Sequence, residues 1–263
     1  RSRPTLLSFG VSPEDAVGSA MARAGGYSDG RDIGAVFNYA NHNGPSALPM
    51  CGGVGAQYTP SVGWAQAIEY HRLVLKNKSY EGAIAVALGG DASVATNGFW
   101  SALTIATTLK LPVLFYIEDN GYGISVPSDL QTPGKNIAKN LASFQNLTVI
   151  DGDGTSPAET SFFAKQAVKK VRDREGPVLL RLTVPRLMGH SAQDTQTYKS
   201  EIQISNETKS DPMPRLKEFL VGPVMSNKEW NKIEADARAD VITHVTNADK
   251  RPVILTIKGE VNP

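Results

Sequence analysis

The sequence predicts an α/β domain in which helices flank a parallel β-sheet. Four apolar runs have the length of buried strands and are expected at residues 83–88, 112–117, 147–150 and 177–184. Stretches with helical spacing lie between the first and second runs and between the third and fourth. Strands that alternate with helices favour parallel pairing, because a parallel pair needs a crossover connection.

Capping residues and apolar spacing predict the helices between and around these strands. Ser12 followed by Pro13 marks the start of the first helix, and Asn97 is expected to cap the helix between the first two strands. Helices are expected over residues 12–25, 60–76, 97–110, 156–172, 211–221 and 228–246, with a short one within 131–143. Residues 27–50 are rich in Gly, Asn and Asp and are predicted to form a long loop, which in a compact domain is often functional.

Composition and charge argue against several classes of protein. The 263 residues suffice for one sizeable core. A formal net charge of +1 argues against a general nucleic-acid binder, and no apolar run reaches the length of a membrane span. Cys51 is the single cysteine, which excludes a disulfide framework and a cysteine metal cluster. Neither nucleic acid nor a membrane is therefore expected as a partner.

Polar residues follow the first two strands at the point where each strand ends. Asp91 comes directly after Gly90, and Asn120 follows the second strand. Because ligands bind at the carboxyl ends of parallel strands, Asp91 and Asn120 are expected to lie side by side at one crevice. Their oxygens suit Mg²⁺, and Gly90 with the small Ala92 and Ser93 lets backbone amides approach a diphosphate. An isolated Gly-Asp at a strand end is usually only structural, whereas the pair at this spacing is less common.

Two segments, G-D-A-S at 90–93 and E-D-N-G-Y-G-I-S-V-P at 118–127, resemble the fingerprint of thiamine-diphosphate enzymes, written G-D-G followed further along by N-N. More closely, the chain resembles the alpha part of the decarboxylating component of 2-oxo acid dehydrogenase complexes. That family includes the pyruvate, branched-chain and acetoin enzymes. The resemblance runs from Arg1 to about Leu220. It implies a transketolase-like fold that binds thiamine diphosphate and Mg²⁺.

The resemblance implies a role for each residue that matches the family pattern. Asp91, Asn120 and the carbonyl of Tyr122 would be the protein ligands of Mg²⁺, and Val54 would bend the cofactor into its V shape. His190 would be the catalytic residue near the cofactor's reactive carbon. The residues implied to bind the cofactor are Arg1, Gly52, Val54, Gly90, Asp91, Ala92, Ser93, Asn120, Tyr122, Gly123, Ile124, Arg186 and His190.

His190 belongs to R-L-M-G-H-S-A-Q-D at 186–194, which is similar to the family's histidine loop. A histidine beside a glycine, on a loop after a core strand, is well placed for proton transfer, although a lone histidine is more often a surface residue. Arg186 and Arg1 match family arginines near the cofactor phosphates. Pro133 stands where many members carry a phosphate-binding arginine, and Lys135 is the nearest possible substitute. Asp151 and Asp153 are interpreted as turn residues rather than metal ligands.

The resemblance also implies that this chain holds only part of an active site. In the family, the carboxylate that activates the aminopyrimidine ring comes from a beta part, either a second polypeptide or the second half of a fused chain. The expected reaction is oxidative decarboxylation of a 2-oxo acid with acyl transfer to a lipoyl group. The expected partners are a beta subunit or beta half and a lipoyl acyltransferase core, in a heterotetramer or a homodimer of fused chains.

The ends of the chain carry expectations about its organisation and compartment. Residues 1–222 are interpreted as the cofactor-binding domain, with its N-terminal part missing, and residues 223–263 as a C-terminal helix with a tail or linker. The ending near a linker, together with Pro133, favours the fused arrangement. The family resemblance implies a cytoplasmic location, or the mitochondrial matrix if the source is eukaryotic.

Two other interpretations stay open. A nucleotide-binding dehydrogenase would need a G-x-G-x-x-G after the first strand of the central unit, and none is present. A catalytically degenerate module would keep the fold and only bind or stabilise a partner. Two departures from the fingerprint favour the degenerate module: Ala92 replaces the second glycine and Asp119 replaces the first asparagine. Against it, alanine adds only one methyl group, and Asn120 is retained at the ligating position.

Overall fold

The structure, a computed structural model, describes residues 3–26, 29–30, 39–41, 44–47 and 52–253. Its helices are α1 Arg3–Ser8, α2 Pro13–Ala20, α3 Tyr58–Leu73, α4 Asn97–Thr108, α5 Ile137–Asn140, α6 Pro157–Arg172, α7 Glu201–Lys209, α8 Pro212–Leu220 and α9 Asn227–Lys250. Its strands are β1 Ala85–Gly90, β2 Val113–Asp119, β3 Tyr122–Gly123, β4 Val126–Pro127, β5 Thr148–Asp153 and β6 Val178–Thr183. The chain divides into two units, one of Arg1–Gly52 with Val221–Pro263 and one of Gly53–Leu220. The organisation into residues 1–222 and 223–263 stays a prediction.

A parallel sheet with the strand order β1-β2-β6-β5 forms the centre of the second unit. Gly90 on β1 pairs with Glu118 on β2, and Thr183 on β6 pairs with both Asp119 on β2 and Asp153 on β5. The carboxyl ends of all four strands therefore lie along one edge of the sheet. Each predicted strand overlaps one of these four, and the predicted α/β fold with a helix-flanked parallel sheet is confirmed.

Both faces of the sheet are covered, which explains why its strands are apolar at consecutive positions. Successive side chains of β2 point to opposite faces. Phe115 packs in a buried cluster with Tyr58 of α3 and Phe99 of α4, whereas Leu114 packs in a second cluster with Val171 of α6. The sheet thus lies between α3 and α4 on one side and α6 on the other, and this packing holds the strand ends in place.

Several helix boundaries differ from the prediction. The first capped helix, α2, ends at Ala20, five residues before the predicted end at residue 25. The cap of α4 is Thr96, whose hydroxyl accepts a hydrogen bond from Phe99 N at 3.4 Å, so the prediction that Asn97 caps this helix is wrong. Helix α7 was not predicted, because its sequence E-I-Q-I-S-N-E-T-K carries no apolar stripe at helical spacing.

The first unit packs α2 against α9. Arg251, directly after α9, forms ion pairs with Glu14 and Asp15 in the first turn of α2, the latter at 2.8 Å. Ile233 and Val241 of α9 are exposed and not covered by the described residues. In the part of the chain that the structure describes, no helix combines the length and hydropathy needed to cross a membrane.

Candidate active site

The two polar segments after β1 and β2 meet at the carboxyl edge of the sheet. Since Gly90 pairs with Glu118, Asp91 and Asn120 follow on adjacent strands just beyond the last paired residues. The loops approach so closely that a Cβ atom at Gly123 would lie 2.5 Å from the Cβ atom of Ala92. Only glycine fits at that position without displacing its neighbours. The structure therefore brings the predicted Asp91 and Asn120 segments together.

Asp91 is a buried carboxylate that lacks ordinary hydrogen bonds. The residue is 4% exposed, and among the described residues neither carboxylate oxygen has a hydrogen-bond partner. Burial, with a further contribution from the nearby Asp119, raises the pKa of Asp91 to about 6. The backbone amides of Asp91, Asn120 and Ala92 lie near the carboxylate and partly oppose the rise, but none meets the geometry of a hydrogen bond to it. Buried polar groups are normally paired, so an orphaned carboxylate at a strand end points to a missing cation or donor.

Two Asx turns, in which a side-chain oxygen accepts a hydrogen bond from the backbone amide two residues later, shape the loop after β2. Asp119 Oδ1 accepts a hydrogen bond from Gly121 N at 3.1 Å, and Asn120 Oδ1 accepts one from Tyr122 N at 3.0 Å. An amide oxygen has two lone pairs, so Asn120 can accept this bond and still bind a ligand. Ile124, at the tip of the short β3–β4 hairpin, has a φ of 56°, which is unusual for a β-branched residue. The loop is therefore tightly folded around the predicted ligands.

A buried tyrosine stabilises the turn after β1. Ser93 Oγ donates to Gly90 O at 2.6 Å and lies 2.5 Å from Tyr58 Oη. Burial raises the pKa of Tyr58 to about 12, so its hydroxyl stays protonated and can donate to Ser93. A Cβ atom at Gly89 would lie 2.5 Å from Ser93 Oγ. A side chain at position 89 would therefore clash with the Ser93 hydroxyl. This chain of contacts fixes the backbone that precedes Asp91.

Asp194 organises the histidine loop. Its carboxylate accepts hydrogen bonds from His190 N at 2.7 Å, Gln196 N at 2.9 Å and Tyr198 Oη at 2.9 Å. The first two bonds, from backbone amides, hold the pKa of Asp194 below its ordinary value. The side chain of His190 is exposed, as a group that acts on a bound ligand has to be. Its catalytic role stays a prediction.

Arg186 and Lys199 pack the histidine loop against the loop after β2. The Arg186 guanidinium donates to the carbonyl of Ile124 and lies 5.8 Å from the centre of the Tyr122 ring. Lys199 Nζ lies 5.0 Å from the same ring centre and is paired with Glu207. Cations at this distance are attracted to aromatic faces. The contact of Arg186 is with protein, so its predicted approach to a phosphate remains untested.

Sequence analysis did not identify Lys199 or Gln203 as neighbours of this site. Gln203 Nε2, on the unpredicted helix α7, donates to Tyr122 Oη at 2.7 Å. The side chain of Lys199 is fully buried, although lysine is usually exposed. No local pattern links either residue to Tyr122, which lies far away in the chain, so their contacts emerge only from the folded structure.

The other predicted residues are placed as follows. Val54 precedes α3 and is 65% exposed, and Gly52 falls within the range of the first unit. Arg1 lies outside the described residues. Lys135 pairs with Asp129 at 3.1 Å. Asp151 and Asp153 lie on β5 rather than in a turn, although Asp153 Oδ1 accepts from Thr155 N at 2.8 Å as the strand ends. Among the described residues no group of three or more His, Cys, Asp or Glu could hold a metal.

Comparison with known proteins gives a family for the chain. Residues 1–256 match the family described as dehydrogenase E1 component. The pyruvate dehydrogenase E1 component subunit alpha of Zymomonas mobilis is 27% identical over 254 residues, which are 96% of this chain and 68% of that subunit. The same subunit of Staphylococcus aureus is 28% identical over 203 residues, and that of Bacillus subtilis is 27% identical over 202. These alignments cover 74% and 76% of this chain, and the chain spans only 51% and 52% of the two subunits.

Proposed function

Because the chain belongs to the dehydrogenase E1 component family, we propose that it is the thiamine-diphosphate-binding alpha part of a 2-oxo acid dehydrogenase complex. The proposed reaction is oxidative decarboxylation of a 2-oxo acid with transfer of the acyl group to a lipoyl acceptor. The single observation that carries the proposal is Asp91, whose buried carboxylate is unpaired among the described residues and lies at the carboxyl edge of a parallel sheet.

The residues at this edge fit a magnesium ion. Asp91 would supply one carboxylate, Asn120 its amide oxygen and Tyr122 its backbone carbonyl. Mg²⁺ prefers oxygen ligands and is usually held by one or two carboxylates together with phosphate oxygens. The absence of a richer acidic cluster among the described residues agrees with such a site, because most of the remaining ligands would come from the cofactor and water.

When bound, thiamine diphosphate would supply the carbanion chemistry, and the protein would orient it and exclude water. The backbone of Gly90, Ala92 and Ser93 would bind the diphosphate. Val54 would support the aminopyrimidine ring, and its exposed side chain is open to a ligand. His190, placed by the hydrogen bond between its amide and Asp194, would hold or move a proton near the reacting atoms.

The remaining cofactor contacts are proposed on family resemblance. The backbone of Gly123 and Ile124 would contact the aminopyrimidine ring, and Arg186 and Arg1 would approach the phosphates. Gly52 would contact the ring from the segment before α3.

The proposed partner is a beta part that supplies the carboxylate for the aminopyrimidine ring. The relatives are named as alpha subunits, which supports a separate or fused beta counterpart. The assembly would be a heterotetramer or a homodimer of fused chains bound to a lipoyl acyltransferase core. A cytoplasmic location, or the mitochondrial matrix in a eukaryote, remains part of this proposal.

The second candidate is a catalytically degenerate module that binds or stabilises a partner. It is favoured by Asp119, which stands where the fingerprint has an asparagine. Ala92 weighs less, because its methyl group is accommodated against the bare backbone of Gly123. Magnesium-dependent cofactor binding without decarboxylation in the complete assembly would select this candidate.

Replacing Asp91 tests the proposed site. In the assembled enzyme, Asp91→Ala should abolish magnesium-dependent binding of thiamine diphosphate as measured by calorimetry, because the only carboxylate proposed to bind the metal is removed. Asp153→Asn is a matched control, since Asp153 ends β5 at the same edge of the sheet but accepts from Thr155 N. Unchanged affinity in Asp91→Ala would refute the metal assignment.

A further inference from the structure

A partly buried ion-pair network lies beside the proposed metal site. Its centre is Asp119, which is 5% exposed and stands where the family fingerprint has an asparagine. Asp119 Oδ2 accepts a hydrogen bond from Arg181 Nε at 2.7 Å. The same guanidinium donates through its NH1 nitrogen to Asp151 Oδ1, also at 2.7 Å. The side chains of Arg181 and Asp119 are only 11% and 6% exposed, so this ion pair is buried, whereas Asp151 lies at the exposed end of the network.

Strand register explains how one arginine reaches both carboxylates. Arg181 lies on β6 and pairs with Ile117 on β2 and with Asp151 on β5. Asp119 is two residues beyond Ile117 and therefore points to the same face of the sheet. Arg181 thus spans three adjacent strands just below the edge where Asp91 and Asn120 lie.

The network has a consequence for charge at that edge. Asp119 precedes the predicted ligand Asn120, and both of its oxygens are engaged, Oδ2 by Arg181 and Oδ1 by Gly121 N. The carboxylate of Asp91, by contrast, has no partner among the described residues. An unneutralised Asp119 would add a second negative charge next to the place where a diphosphate is proposed to bind. Like charges in a partly buried site are strongly unfavourable.

We propose that Arg181 is a positioning residue of the proposed metal site: it binds Asp119 and offsets its charge, and so leaves Asp91 as the carboxylate open to the cation. The inference rests on the proposed function. Arg181 suits the role because its planar guanidinium can bind two carboxylates at once and keeps its charge when buried. In this chain, the departure from asparagine at position 119 is thereby compensated by an arginine on the neighbouring strand.

The proposal is tested in the complete assembly with four proteins: the wild type, Arg181→Met, Asp119→Asn and the double variant. The measured quantity is the dissociation constant of thiamine diphosphate at saturating Mg²⁺. Arg181→Met should weaken binding by about tenfold or more, because Asp119 loses its counter-charge. The double variant should return to within about threefold of the wild type, since the carboxylate next to Asn120 is then absent, and Asp119→Asn alone should stay in the same range.

Rescue separates a charge effect from a purely structural one. If Arg181 only packs the sheet, Asp119→Asn will not restore binding in the Arg181→Met protein, and that result overturns the proposal, as does unchanged binding in Arg181→Met. Arg215→Met is the matched control, because Arg215 pairs with Asp153 at 3.4 Å near the same edge and should leave binding unchanged.

Two further outcomes are distinguishable. If Arg181→Met does not fold, the comparison is made with Arg181→Gln, with and without Asp119→Asn, and the same criterion of loss and rescue applies. If the wild-type assembly itself binds no thiamine diphosphate with Mg²⁺, the proposed function fails; if the wild type binds but rescue is absent, only the role of Arg181 fails.

Discussion

Asp91 shows a conflict between stability and its proposed function in a single residue. Its carboxylate is buried and unpaired among the described residues, and its pKa rises from an ordinary value of 3.8 to about 6. For an acid whose pKa is raised in the folded state, ionisation favours unfolding. Stability is therefore highest below the unfolded-state pKa and is lost as the pH rises through the folded-state pKa. In the absence of a bound cation, the ionised carboxylate destabilises the fold at neutral pH.

Replacing Asp91 by an uncharged isostere should expose this conflict. Without added cofactor, Asp91→Asn should match the wild type near pH 4 and become more stable between pH 4 and pH 6, by up to about 3 kcal/mol above pH 6. The measurement is the free energy of unfolding in urea at pH 4.5 and pH 7.5. Addition of Mg²⁺ and thiamine diphosphate should stabilise only the wild type. A variant less stable than the wild type at pH 7.5 would contradict the burial argument.

Some contacts at the proposed site can be predicted from the sequence, and others depend on the folded structure. The proximity of Asp91 and Asn120 can be predicted because each follows an apolar strand, and parallel pairing places strand ends side by side. The pairing of Asp119 with Arg181 cannot be predicted in this way, because it depends on the register of β2 against β6. The buried Lys199 was also missed, since lysine gives no sequence signal of burial and its partner Glu207 lies on an unpredicted helix.

At the scale of elements, the turn after β1 depends on α3. Tyr58, at the start of α3, contacts Ser93, and Ser93 in turn donates a hydrogen bond to Gly90 O. Tyr58 also packs edge-on against Phe99 of α4, with ring centres 5.1 Å apart. Tyr58 therefore connects α3 to two other parts of the structure. Its ring contacts α4, and its buried hydroxyl contacts the turn after β1.

Two substitutions should separate the parts of this link. Ser93→Ala should destabilise the protein by about 1–3 kcal/mol, because it leaves the buried Tyr58 hydroxyl and Gly90 O without their partner. Tyr58→Phe should cost only about 1 kcal/mol, because Ser93 can still donate to Gly90 O. Thermal and urea unfolding measure both, with Tyr70→Phe on the exposed side of α3 as the control. A larger loss in Tyr58→Phe than in Ser93→Ala would show that the hydrogen bonds run differently.

Element boundaries were harder to predict than the elements themselves. The strands followed from apolar runs, and the start of α6 agrees with the predicted helix 156–172, because Ser156 caps it and Pro157 is its first residue. The cap of α4 was assigned one residue late because Thr96 and Asn97 are both good capping residues and only the backbone conformation decides between them. The β3–β4 hairpin was missed because strands of two residues have no periodicity to detect.

At the scale of the whole molecule, the metal and diphosphate site is proposed on this chain, and the carboxylate for the aminopyrimidine ring is proposed on a beta part. The chain belongs to the dehydrogenase E1 component family, and the named relatives are alpha subunits. The chain spans about half to two thirds of those relatives' length. Ile233 and Val241 of α9 add exposed apolar surface that the described residues do not cover. Activity is therefore expected from an assembly rather than from this chain alone.

Purification at native stoichiometry tests this expectation. The tagged chain should retain a beta part, and only that assembly should decarboxylate a 2-oxo acid and acylate a lipoyl acceptor when thiamine diphosphate and Mg²⁺ are supplied. Straight-chain, branched-chain and acetoin-type substrates are assayed in parallel.

In the same assembly, His190→Ala should reduce activity by about a hundredfold to ten-thousandfold with the cofactor still bound, as expected for loss of a general acid–base group.

The control is Met188→Ala, which alters an exposed side chain of the same loop and should leave activity unchanged. Full activity in His190→Ala would show that this histidine is only a surface residue. An assembly that binds thiamine diphosphate and Mg²⁺ but acts on none of the substrates would instead favour the degenerate module, because the edge built by Asp91 and Asn120 would then serve binding alone. Turnover by the isolated chain would contradict the need for a second carboxylate from the beta part.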